Sequence, residues 1–288
     1  MVTPFSNFKS IEDIAPLMDN EETLLYPLVD NTIFALDKII DPYEDYIPSF
    51  GNNEATIAGL FIKQVKLFKD LYNAYKLGNT HLCLILNRII YEAFIKMKYL
   101  IAHGTEAQKD YRLYSFKDRY NFYKETKDKK DGYFQVRNKK FLLDLEAEGF
   151  TLKDLENLKR SFGGKNMRLL IEEIDGKGLY NSLYAMMSDT IHSDWGEIRQ
   201  MYLQKNEEEN MYCPKFEEDI HGRVFVPMVQ IIINSSLSYL DWTKCSICID
   251  EDISIFKPLL LELQRMFTLL GKYYMDTYTT HPDKFMYN

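Results

Sequence analysis

Two stretches of this chain carry side chains that could bind an anion or move a proton. In the first, THLCLILNRIIYEAFIKMKYLIAH (residues 80–103), Arg88, Glu92 and Lys96 interrupt a run that is apolar on almost every side. Arg88 and Glu92 stand four apart, one above the other on a helix face. In the second, LYNSLYAMMSDTIHSDW (residues 179–195), steps of three and four place Asn181, Tyr184, Ser188, His192 and Trp195 on one stripe. A guanidinium holds anions, and an imidazole exchanges a proton near neutral pH. If the two stripes face each other, Arg88 binds an anion, His192 acts as base or acid, and Glu92 and Ser188 orient the pair. The same residues equally suit a buried hydrogen-bonded network that fixes how two helices pack, because buried polar groups are normally satisfied by neighbours. A small-ligand pocket between the helices is a third reading.

A different chemistry is written into residues 109–140. This segment holds 11 Lys and Arg against 5 Asp and Glu, a balance of +6, so the net charge of −8 leaves −14 on the remainder. Tyr111, Tyr114, Phe116, Tyr120, Phe122, Tyr123 and Phe134 are interleaved with the cations. Cations for phosphates and rings for bases are what a single-strand RNA binder uses, with Tyr111, Arg112, Lys117 and Arg119, and Tyr184 from the other stripe, as candidate contacts. The competing reading is a solvated helix face whose rings point at the core. The overall acidity argues against indiscriminate coating of nucleic acid, and nothing signals DNA specificity. RNA is the partner to test, and a homodimer is compatible with the sequence.

Metal and cofactor motifs are weak. Cys245-x-x-Cys248 invites zinc, with Cys213 and His221 as conceivable partners, but a second paired motif is missing. Glu172 and Glu173 adjoin and so point to different faces, a poor di-metal centre. Gly163-Gly164-Lys165 lacks the earlier glycine and trailing hydroxyl of a phosphate-cradling loop. No metal and no cofactor are expected.

The elements that must position these residues read as helices. Residues 21–41, 54–77, 80–103, 133–148, 179–195, 226–244 and 253–275 carry apolar residues at helical period, and no series of short β-branched runs recurs between turns. Thr80 is expected to cap the second long helix, and the lysine- and tyrosine-rich stretch after Gly104 to run on as helix until Gly132. The fold class is all-α, a single multi-helix bundle built around a buried central helix (about 80–103) packed on helix 179–195. Within one domain, residues 1–50 form an N-terminal extension and helix, 54–200 the core bundle, 201–225 an acidic connecting loop and 226–276 a C-terminal helical pair. No basic start followed by an apolar run marks a secretory signal, no eighteen-residue apolar run without charge suggests a membrane span, and four cysteines are too few for a disulfide scaffold. A soluble, cytoplasmic protein is expected.

The Arg-x-x-x-Glu within RIIYEAFIKMKYL, the following YRLYSFKDR, and MRLLIEEIDGKGLYNSLYAMMSDTIHSDW resemble the landmarks of a bacterial all-helical domain-of-unknown-function family, number 5677, over roughly Leu60 to Leu240. An aromatic, a Ser and a His run down one helix of that family, matching Tyr184, Ser188 and His192. The resemblance implies an α-helical fold and no established reaction. In helix arrangement that family is similar to the HEPN group, many of whose members are metal-independent ribonucleases of toxin or phage-defence systems. Their signature is Arg, four to six residues, then His on one helix, where His deprotonates the ribose 2′-hydroxyl and Arg steadies the phosphate. Here Ser188, Met187, Met186 and Ala185 occupy the four to seven positions before His192, so Arg88 would have to substitute from the neighbouring helix.

Overall fold

A computed structural model of the chain describes residues 5, 7–18, 20–41, 49–158, 161–177, 184, 195, 198–199, 202–206, 211–215, 222–246 and 255–280, the side chains of Arg223, Cys245 and Ser246 excepted. Among the described residues the architecture is all-α, with one small two-stranded hairpin. Two short N-terminal elements, the helix α1 (Ile11–Ile14) and a 3-10 turn (Ala15–Leu17), precede α2 (Leu25–Ile40). The long helices α3 (Glu54–Lys76) and α4 (Thr80–Tyr114) follow, joined by a turn so short that they must lie side by side. Among the described elements their contact is the most extensive. The apolar period of α3 explains it: Ile57, Leu60, Phe61, Val65, Phe68, Leu71, Tyr72 and Tyr75 are all buried.

The central helix is buried as its composition demands. Cys83, Leu86, Ile90, Tyr91, Ala93, Phe94, Ile95, Met97, Tyr99 and Leu100 form its hidden surface. Its cap is Asn79, not Thr80: the Asn79 side chain accepts from the Leu82 amide at 3.0 Å, because Thr80 already has the geometry of the first helical residue. At Gly104 the backbone turns to φ 67°, ψ −156° and breaks the helix in two. That region of the map is open to glycine almost alone.

Beyond Tyr114 the basic stretch divides. Helices α5 (Lys117–Thr126) and α6 (Gly132–Ala147) are joined by a loop, and α7 (Leu152–Glu156) follows. Gly132 therefore opens a helix instead of ending one, since Asp131 accepts the Tyr133 amide at 2.8 Å as an N-cap. Phe116, Phe141, Leu145, Phe150 and Leu155 give these helices a small core of their own. Next come a 3-10 turn (Phe162–Gly164) and α8 (Met167–Ile174), both packed on α4.

Strands β1 (Leu203–Asn206) and β2 (Met211–Pro214) pair antiparallel within the expected connecting segment. The C-terminal pair, α9 (Gly222–Ser246) and α10 (Phe256–Thr280), closes the main core, α9 lying on α3, α4 and α10, and α10 on α2. Phe225 of α9 stacks on Tyr75 at 4.5 Å, and Phe61 stacks on Tyr239 at 4.2 Å. One buried polar seam ties three helices: Ser235 Oγ donates to Gln64 Oε1 at 2.8 Å, and Gln64 Nε2 lies 3.6 Å from Met97 Sδ. By length and composition the stretch Val224–Lys244 could cross a membrane, yet it is mostly buried inside the bundle.

Candidate functional site

Arg88, Glu92 and Lys96 follow one another at four-residue steps on α4, so geometry alone places the carboxylate between two cations. Arg88 Nε reaches Glu92 Oε1 at 3.3 Å, and Lys96 Nζ reaches Glu92 Oε2 at 3.6 Å. Tyr184 joins them from 92 residues away. Its hydroxyl donates to Glu92 Oε1 at 2.6 Å and accepts from Arg88 Nη2 at 3.1 Å. The guanidinium carbon also lies 5.1 Å from the Tyr184 ring centroid, a cation–π distance. The Arg88 and Glu92 side chains are 15% and 27% exposed. The group is thus half-buried at the edge of the main core.

Electrostatics follow from that placement. Burial pushes the Glu92 carboxyl up, but the hydrogen bond from Tyr184 and the charges of Lys96 and Arg88 outweigh it and hold the group below its ordinary range. Burial and the Glu92 carboxylate push Tyr184 up to about 12. At neutral pH the phenol is therefore a neutral donor, and among the described residues Arg88 and Lys96 stand on either side of the Glu92 carboxylate on one helix face. Two cations on one face suit the holding of an anion. Beside it, Tyr91 donates to Asp175 at 2.8 Å, with its ring 6.4 Å from that of Tyr184.

Of the candidate catalytic set, Arg88 and Glu92 are brought together with Tyr184. His192 and Ser188 lie outside the described residues, as does helix 179–195 apart from Tyr184 and Trp195. The candidate RNA contacts divide. Tyr111 packs edge-on against Phe162 at 5.2 Å. Arg112 donates to Glu148 Oε2 and Asn53 Oδ1, both at 2.8 Å, and to the Glu148 carbonyl at 2.7 Å. Arg119 pairs with Asp144 at 2.6 Å, and Lys117 lies over the Tyr114 ring at 5.1 Å. Arg119 thereby ties α5 to α6, and Arg112 ties α4 to the end of α6 and the start of α3.

Elsewhere on the helical hairpin made by α5, its loop and α6, cations lie on rings: Lys124 over Tyr120 at 4.6 Å, Lys129 over Phe134 at 4.6 Å and Arg137 over Phe122 at 4.3 Å. Sequence reasoning passed over these pairs, although Lys124 follows Tyr120 by four on one helix face. It also passed over the cluster at the α4 break, where His103 Nε2 meets Glu173 Oε1 at 2.9 Å and Lys165 Nζ meets Glu173 Oε2 at 2.5 Å. These partners lie 62 or more residues from His103 in sequence, beyond the reach of any spacing rule.

Among the described residues, no three His, Cys, Asp or Glu side chains converge as a metal site. Cys213 donates to the Gln204 carbonyl at 3.5 Å. The rest of the conceivable zinc set, the Cys245 side chain, Cys248 and His221, lies outside the described residues.

No curated protein and no solved structure matches the chain. One family model does, over residues 54–211, more than half of the 288. That span takes in α3 to α8, the Arg88–Glu92–Tyr184 group and β1. By that match the chain belongs to the family of unknown function DUF5677.

Proposed function

We propose that this chain is a cytoplasmic RNA-binding protein of HEPN-like build, contacting single strands through the α5–α6 hairpin. The observation that carries the reading is the set of ring–cation pairs on that hairpin, with exposed Lys124, Lys129 and Arg137 each over an aromatic ring. Lysine and arginine attract phosphates, and a ring beside them gives a base a stacking platform. Fluorescence anisotropy with a short single-stranded RNA tests it. Binding should weaken steeply between 50 and 200 mM salt, and Lys129→Glu with Lys130→Glu should weaken it further. Absence of binding at low salt rejects the reading.

The catalytic extension is metal-independent cleavage of the stress or phage-defence type. His192 would take the proton of a ribose 2′-hydroxyl while Arg88 steadies the phosphoryl oxygens, with Glu92 and Ser188 orienting the two. The placement of Arg88 and Lys96 on one face of α4 supports it. His192→Ala should then abolish cleavage and leave the melting temperature nearly unchanged.

A second reading, a non-catalytic interaction or scaffold module, draws on a specific observation as well: the Arg88 guanidinium is engaged by Glu92 and Tyr184. Large destabilisation by Arg88→Met, with no cleavage to lose, favours this reading over the catalytic one.

A further inference from the structure

Helix α6 is apolar on two opposite sides. One side carries Phe141 and Leu145, buried in the small core with α5 and α7. Steps of three and four along the opposite side give Tyr133, Val136, Lys140, Leu143 and Ala147, and here Tyr133 is 60% exposed, Val136 70% and Leu143 55%. A surface helix ordinarily needs one apolar stripe, and a second one rimmed by charge marks an interaction surface.

Lys140 stands in the middle of this row. The carboxylate four residues on, Asp144, is taken by Arg119, and Lys139 and Lys140 make no ion pair among the described residues. We propose that the outer face of α6 docks a helix of a partner protein whose own apolar stripe carries a carboxylate to meet Lys140.

Charge selects this occupant over the others. Two copies of α6 packed antiparallel about the centre of the row would bring their Lys140 ammonium groups together, which is repulsive. Sinking the row into a bilayer would drag Lys140 in with it, where a lysine is costly. Val136 and Leu143 are aliphatic, and Tyr133 is engaged by Arg137, whose Nη1 donates to its hydroxyl at 2.8 Å, so the row offers an RNA little beyond the single charge of Lys140. A helix laid along α6 buries both and places an acid opposite Lys140, the helix-on-helix mode of recognition. The proposal does not rest on RNA binding.

The test uses the full chain and two synthetic amphipathic peptides with identical leucine stripes, one bearing glutamates at the central and flanking positions and the other lysines. Anisotropy should show the acidic peptide binding at least about tenfold more tightly than the basic one. Val136→Asp with Leu143→Asp should remove that binding while leaving circular dichroism unchanged, and Lys140→Glu should reverse the preference between peptides. Equal affinity for the two peptides, or no effect of the paired aspartates, overturns the proposal. So does self-association in sedimentation, or adsorption to phosphatidylserine vesicles, that the paired aspartates abolish, because the face then belongs to a second copy or to lipid.

Discussion

Tyr184→Phe removes one oxygen and keeps the ring, so it isolates the hydrogen bonds of the Arg88–Glu92 group from its packing. That oxygen donates to Glu92 at 2.6 Å and accepts from Arg88 at 3.1 Å. A hydrogen bond to a charged partner contributes roughly 1.5–3 kcal/mol. Glu92 retains Arg88 and Lys96, and at 27% exposure water refills part of the gap, so the expected loss is about 1–2 kcal/mol. The ring stays beneath the guanidinium, at 5.1 Å. Tyr184→Ala removes that ring too, and its loss should reach about 3–5 kcal/mol. For a chain of this size each kcal/mol lowers the melting temperature by about 2–4 °C, so Tyr184→Phe should melt about 2–8 °C lower. Urea unfolding of the single variants and of Tyr184→Phe with Glu92→Gln closes a double-mutant cycle. A coupling of at least about 0.5 kcal/mol is expected for residues in contact. Strictly additive losses, or a Tyr184→Phe variant within about 0.3 kcal/mol of the parent, would refute the geometry of the group.

The same carboxylate sets a pH dependence. Glu92 is held below its ordinary range in the folded chain, so its contribution is complete above the unfolded value of about 4.3 and fades as pH falls through the lower folded one; the stability gap between parent and Glu92→Gln should be flat from pH 7 to about 5 and shrink below about 4.3. Gly104→Ala should cost about 1–3 kcal/mol through backbone strain alone, since its φ is 67° and nothing lies within 4 Å of the added carbon; denaturant unfolding checks it. Ser235→Ala leaves the buried Gln64 carbonyl oxygen without its 2.8 Å donor, a loss of about 1–3 kcal/mol that a companion Gln64→Leu should largely restore, since apolar replacement of both partners is nearly neutral.

What the sequence conveys about this fold is local. The apolar period of α3 names its buried face residue by residue, because burial repeats with the helix and the helix repeats every 3.6 residues. Caps and breaks are read less well. Thr80 and Asn79 are both good capping residues, and only the backbone decides that Asn79 stands at the boundary. Gly132 looks like a stop until Asp131 is found accepting the Tyr133 amide. Partner choice is hardest of all. Arg112 has the composition of a phosphate contact, yet Glu148 and Asn53, 36 and 59 residues away, occupy it. Stripe reasoning singled out Arg88, Glu92 and Tyr184, but which atoms meet is fixed by packing between segments 92 residues apart.

The family span divides the molecule into a part that holds the candidate chemistry and a part that completes the body. Arg88, Glu92, Lys96 and Tyr184 all fall within residues 54–211, whereas α2, α9 and α10 fall outside. The main core nevertheless needs those outer helices. Inside the span, Tyr75 takes its stacking partner Phe225 from α9, and the fully buried Gln64 takes its donor Ser235 from the same helix. A fragment cut to residues 54–211 would therefore expose Phe61, Phe68 and Tyr75 and leave the Gln64 carbonyl without its serine, losses that together rival the whole stability of an ordinary domain, about 5–15 kcal/mol. The Arg88–Glu92–Tyr184 group stands on α4, whose opposite side is held in place by α9 through the Asn87 side chain bonded to the Val224 carbonyl at 3.1 Å. Chemistry confined to the family span thus depends on helices beyond it for its position, and substitutions along the α4–α9 seam should disturb the candidate site without touching it.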